Sequence, residues 1–227
     1  IFGSMLKRTI YIGNPSYLSV EYNQLKIKCA QSKEVKGSVP IEDIGILVLD
    51  HSQITITSKV LEVFMRHTVA VISCDAKHLP NGLMLPLQGH SELTQRWRYQ
   101  IEASLPLKKQ LWKQTVQVKI SNQMELLKMQ GHEVGSMMNY LSQITSGDET
   151  NMEGIAAQHY WKYLLPNFKR EREGAYPNNF LNFAYAILRS IVARAIVSSG
   201  MLPALGIFHK NKYNPYCLAD DIMEPYR

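Results

Sequence analysis

The feature that most constrains this chain is a change of period near residue 90. Before it, apolar residues mostly alternate with polar ones; after it they recur at helical spacing and no strand pattern returns. Residues 8–13, 17–20 and 24–29 read as short strands, with 21–24 as a turn between the last two. Residues 44–49 form a continuous apolar run, the pattern of a strand buried on both faces. A strand at 53–57 follows, then a helix over 59–67 capped by Ser58 and carrying Val60, Val63 and Phe64 on one face. A strand at 69–73 closes the set. Pro80, Asn81, Gly82, Pro86 and Gly89 are breakers, so 76–90 reads as a linker. The expected fold class is α+β: a small N-terminal β domain with one helix over 5–75, the linker, and an all-α domain over 91–227.

Composition narrows the function classes. Three widely spaced cysteines supply neither a disulfide framework nor a zinc pattern. No apolar run approaches the ~20 residues of a membrane span, so no membrane partner is expected. Ile1 to Ser4 ahead of Met5 read as a cloning remnant rather than a secretory leader. A net charge of +6 weakly favours a polyanionic partner. His51, His67 and His78 stand isolated among strands and turns, without the clustering a ligand set needs.

The helical half carries the chemistry. Residues 91–130 hold seven Lys or Arg against three Glu, a solvated basic face or a track for phosphates. Trp97, Tyr99, Ile101, Leu111, Trp112, Val116 and Ile120 supply its buried stripe, with Pro106 breaking or restarting the helix. Met137 and Met138 read as gap-filling core. Asn151 is placed to cap a helix from Met152, and on that helix Glu153 shares a face with Ala157, Tyr160 and Leu164. A carboxylate on an apolar stripe is costly without a counter-charge. It pairs either with a metal or with an arginine, Arg189 and Arg194 being the candidates. His159 lies off that face and reads as packing or surface. Lys169, Arg170 and Arg172 form an exposed charged loop, and residues 178–200 are apolar nearly all round, the pattern of a central bundle helix.

Four groups able to hold a divalent ion sit in the last nineteen residues: His209, Asp220, Asp221 and Glu224. Asp221 and Glu224 are three apart and share a helical face, where they repel each other unless a cation lies between them. Leu218, Ile222 and Met223 around them are apolar. A solvated acidic patch at a helix N-terminus explains the same residues without chemistry.

The segments Met152-Glu-Gly-Ile-Ala-Ala157, Asn178-Asn-Phe-Leu-Asn-Phe-Ala-Tyr-Ala-Ile-Leu-Arg189, Leu205-Gly-Ile-Phe-His209 and Leu218-Ala-Asp-Asp-Ile-Met-Glu224 resemble the CRISPR-associated integrase/endonuclease of the adaptation module, the Cas-one family, in its type II-like branch. The resemblance runs from Lys7 onward. It implies a cytoplasmic prokaryotic protein that inserts short foreign DNA into a CRISPR array, a DNA 3′-OH attacking a phosphodiester. It implies Mg²⁺ or Mn²⁺ as cofactor, a homodimer formed largely through the β domains, a small second adaptation protein as partner, and double-stranded DNA (captured fragment and repeat) as substrate. Carried onto this sequence, the catalytic metal ligands are Glu153, His209 and Glu224, with Asp221 as an additional ligand and Asp220 on another face. The family normally continues with further helix, so the helical domain is expected to be incomplete at its C-terminus. Two or three carboxylates and one imidazole suit a hard ion better than a thiolate zinc site. Lys169, Arg170, Arg172, Lys210 and Lys212 border these positions and are the candidates for holding phosphates. The alternatives are a catalytically silent DNA-binding scaffold, and a metal-dependent phosphoesterase acting on a small molecule.

Overall fold

The computed structural model describes residues 7–171, 174 and 176–227, which divide into two compact units. The strand-rich unit comprises residues 1–93 with 186–200; the helical unit comprises 94–185 with 201–227.

Among the described residues, eight strands build the first unit: β1 Arg8–Ile12, β2 Ser16–Glu21, β3 Gln24–Cys29, β4 Val35–Pro40, β5 Ile44–Leu49, β6 Ile54–Ile56, β7 Ala70–Cys74 and β8 Pro80–Met84. One sheet has the order β1-β5-β7-β8, parallel except for β8; the other has the order β4-β3-β2-β6. The β2–β3 hairpin turns through Tyr22 and Asn23, both at positive φ, at the turn expected there. Leu18, Leu25, Leu47, Phe64 and Val60 make one core cluster, Phe64 and Val60 coming from helix α1, Ser58–Arg66. Ile46 and Val48 of β5 join Ala70 and Ile72 in a second, against Leu83 and Ile187. β5 is thus buried on both faces, as its apolar run required.

The linker expected at 76–90 gives way here, because β8 lies inside it and pairs with β7 as an edge strand. β4 was also unforeseen. Both carry Pro and Gly, which an edge tolerates and a sequence pattern reads as turn.

The helical unit is built around α3, Leu105–Met129, not around residues 178–200. Ser104 Oγ accepts the Leu107 N–H and Pro106 sits in the first turn, so the proline restarts a helix after α2, Leu93–Glu102. Trp112, Val116, Ile120 and Leu127 of α3 pack with Met137 of α4 (Gly135–Ser142) and with Met152, Ala156 and Tyr160 of α5 (Met152–Leu164). Met138 is exposed, so only one of the methionine pair fills core. α2 buries none of its residues, contrary to the stripe expected through Trp97, Tyr99 and Ile101.

Helix α6, Asn178–Ser198, begins in the helical unit and ends in the strand unit. With mean hydropathy 1.5 over its most apolar stretch, it is long and apolar enough to cross a membrane, which corrects the expectation that no run qualifies. Only 17% of that stretch is buried. Arg189 and Arg194 interrupt it, and each arginine is costly at a bilayer centre. Within the strand unit Arg194 donates to the Thr68 carbonyl. The last helix is α7, Cys217–Met223, continued by a 3₁₀ turn at Glu224–Tyr226.

Candidate functional site

The site begins at the entrance of α5. Gly147 (φ +77), Asp148 (φ +51) and Asn151 (φ +54) all take left-handed backbone, bending the chain sharply before the helix. Asn151 holds the N-cap position as expected, but the capping hydrogen bonds come from Asp148. Its two carboxylate oxygens accept the N–H groups of Met152 and Glu153 at 2.9 Å each, satisfying donors that the first turn leaves orphaned. The backbone of Glu153 is thereby fixed, and its side chain rises from the first turn toward α3.

There it meets Lys119. The Lys119 ammonium donates to Glu153 Oε1 and, at 2.5 Å, to Glu224 Oε2. Side-chain exposure is 7% for Lys119, 5% for Glu224 and 26% for Glu153, so the lysine and Glu224 are shut from water while Glu153 keeps one side open. Glu224 Oε1 accepts from Arg227 at 2.5 Å. Beside them lies a cavity of about 150 Å³ lined by Lys119, Glu153, Glu224, Arg170, Tyr185 and Arg227, among others. The guanidinium carbons of Arg170 and Arg227 stand 5.5 and 5.1 Å from the Tyr185 ring centre, so cation–π contacts draw both toward one ring. Burial is the main cause raising the Tyr185 phenol above its ordinary pKa, which keeps it neutral.

His209 sits on a turn built by Asp221. Asp221 Oδ2 accepts the N–H groups of Ile207 (2.5 Å) and Phe208 (3.0 Å); Oδ1 accepts that of His209 (3.1 Å) and lies 2.6 Å from His209 Nδ1. Four contacts fill the roughly four lone-pair sites of a carboxylate. Gly206 is required in this turn: a Cβ there would stand 2.3 Å from the His209 carbonyl oxygen and 2.9 Å from Asp221 Oδ2. Trp112 stacks on Phe208 at 4.1 Å and meets the His209 ring edge-on, tying the turn to α3. The Asp221 hydrogen bond raises the His209 pKa above the ordinary value, burial opposes it, and the charges of Asp221, Glu224 and Asp220 add to the rise.

The family model described as CRISPR associated protein Cas1 matches residues 10–227. A CRISPR-associated endonuclease Cas1 of Neisseria meningitidis serogroup C (strain 8013) is 35% identical over 225 residues, 98% of this chain and 73% of that protein. The chain belongs to the Cas1 family. Solved structures share its fold. A casposase bound to integration product aligns at TM-score 0.78 and 20% identity, over 98% of this chain and 69% of that one. A chain of a Cas6-RT-Cas1--Cas2 complex aligns at TM-score 0.72 and 21% identity, over 98% of this chain and 27% of that one.

In this Cas1-family chain the sequence-derived residues fall into two groups. Glu153 and Glu224 come together, but through Lys119 rather than through Arg189 or Arg194. Asp221, expected as an additional ligand, joins His209 instead of the carboxylate pair, its oxygens occupied by three backbone N–H groups and the His209 ring. Asp220 is buried and accepts from Asn214 at 2.6 Å. Among the described residues, no three His, Cys, Asp or Glu side chains converge as a ready coordination set. Arg170, expected on an exposed loop, turns inward and donates to Asn178 (3.0 Å) and Asn182 (2.7 Å). Lys169, Lys210 and Lys212 are exposed, Lys169 beside Glu171 and Lys212 over Tyr213. Arg172 lies outside the described residues. His159 packs against Tyr163 at 4.7 Å, and burial holds its pKa below the ordinary value.

Lys119, Arg227 and Tyr185 were missed as site residues. Lys119 carried a legible signal: it lies seven residues after Trp112 and three after Val116, on the buried seam of α3.

Proposed function

We propose that Glu153, Glu224 and His209 form the metal centre of a divalent-metal-dependent DNA integrase and endonuclease, with Mg²⁺ or Mn²⁺ as the ion. The observation that carries this is two carboxylates from different elements of one unit converging on a single positively charged nitrogen beside an arginine-lined cavity. That donor set fits a hard cation. Its oxygens already gather around positive charge, and the Asp221 contact at Nδ1 leaves Nε2 as the metal-binding nitrogen of His209, the carboxylate–histidine arrangement of many metal sites. When bound, the ion polarises a phosphodiester and stabilises charge developing on its oxygens.

The protein's own groups do the rest. Asp148 fixes the helix start that presents Glu153, and Asp221 fixes the ring of His209. Arg170 and Arg227, oriented on Tyr185, offer guanidinium charge to a phosphate entering the cavity. Exposed Lys169, Lys210 and Lys212 hold the DNA backbone further out. In integration the attacking oxygen is a DNA 3′-OH; in cleavage it is water. As a Cas1-family protein the chain inserts short foreign DNA into a CRISPR array. The fold it shares with a casposase bound to integration product, and with a chain of a complex containing Cas2, supports double-stranded DNA and a small second adaptation protein as its partners. A homodimer through the strand unit and a cytoplasmic location complete the reading.

Purified protein and a labelled duplex test it. Strand joining should require a divalent ion and a free 3′-OH, and should vanish with EDTA or with dideoxy ends. Joining that survives chelation would remove the metal from the chemistry.

A further inference from the structure

Lys119 rises from the middle of α3, and its side chain is almost wholly buried. An ammonium on an apolar seam is expensive unless its hydrogens are used. Two of the three are spent on Glu153 Oε1 and Glu224 Oε2, the oxygens that the reading above assigns to a divalent ion. Arg227 claims the other oxygen of Glu224. A divalent ion drawn to these carboxylates therefore meets an ammonium already seated on both, and two cations at such spacing repel strongly in a site with little water.

We propose that Lys119 is a resident counter-cation that a divalent ion must displace from Glu153 and Glu224, so that this lysine sets the metal affinity of the site. The inference rests on the metal-centre reading. Lysine suits the role: its charge is compact and its four-carbon stem is flexible, so the ammonium can withdraw without moving α3. In the metal-free protein it holds buried Glu224 and half-buried Glu153 in place, two carboxylates that would otherwise repel each other. In the loaded protein the displaced ammonium stays nearby as positive charge for an incoming phosphate. The cost of displacement is a weaker hold on the metal.

The sign of one measurement separates this role from its opposite. If Lys119 merely holds the carboxylates ready, removing it weakens metal binding, as loss of a supporting residue usually does, by about 10–100-fold. If it competes, removing it tightens binding. Mn²⁺ titration of wild type and of Lys119→Met, followed by electron paramagnetic resonance of the free ion, should show the variant binding about tenfold or more tightly. Equal or weaker binding by the variant, with wild type saturating normally, overturns the competitor role while leaving the metal centre intact. No saturable Mn²⁺ binding by either protein overturns both.

A second measurement uses wild type alone and covers a variant that fails to fold. Acylation with an amine-reactive ester, read by mass spectrometry, should leave Lys119 unlabelled without metal and label it when Mn²⁺ is added. Protection in both states overturns the displacement.

Discussion

Each unit holds a buried carboxylate, Asp50 in one and Glu224 in the other, and the two are satisfied differently. In the strand unit Asp50 is buried and accepts from the Tyr11 hydroxyl at 2.5 Å, with His78 Nδ1 at 2.9 Å. Those partners can all be neutral, and one carboxylate with good donors needs no cation. In the helical unit Glu153 and Glu224 share one ammonium, and Arg227 adds a second positive charge. Two carboxylates in one place cannot be satisfied by neutral donors without repelling each other. A demand for positive charge, more than burial of an acid, is what separates a candidate reaction centre from a structural hydrogen-bond cluster.

The largest effect that could break this contrast is on activity. Glu153→Gln should lower metal-dependent strand joining by about 10³-fold, the several kcal/mol that a metal supplies to a phosphodiester transition state. Asp50→Asn should leave joining near wild type. Equal losses would mean that the two clusters play the same part.

Stability should rank them in the same order by a smaller margin. Without metal, Lys119→Met takes the ammonium from buried Glu224 and half-buried Glu153 and should cost about 3 kcal/mol. Asp50→Asn keeps a hydrogen-bonding side chain in place and should cost about 1 kcal/mol. Urea denaturation with a probe in each unit measures both, and a reversed order would undo the comparison.

The smallest expected effect is one of pH. Because Asp221 raises the pKa of His209 in the folded protein, protonation stabilises the fold. The contribution is fully present below the unfolded histidine pKa and is lost as pH rises through the higher folded value. Wild type should therefore exceed His209→Gln in denaturation midpoint by more near pH 6 than near pH 8.5. Metal binding runs the other way, since it needs the neutral ring. A gap that widens as pH rises would contradict the His209–Asp221 pairing.

Much of this was legible in the residues. Glu153 stood out because an acid on an apolar stripe needs a partner, and the strand at 44–49 because a continuous apolar run admits few other places. Lys119 was lost among seven basic residues of one stretch, since charge counting treats a lysine on the seam like one on the surface. The role of Asp221 was hidden for a different reason: three backbone N–H groups converge on it only once the turn at Gly206 exists. β4 and β8 were missed because edge strands tolerate the residues that otherwise mark turns. The apolarity of α6 suggested a central helix, yet α3, with its mixed sequence, holds the core.

The most direct test is the position of a bound ion. Crystals grown with Mn²⁺ should show an anomalous peak at about 2.1 Å from carboxylate oxygens of Glu153 and Glu224, with the Lys119 ammonium withdrawn from both. A saturating Mn²⁺ concentration that leaves Lys119 bridging the two glutamates, with no peak between them, would contradict the metal centre itself.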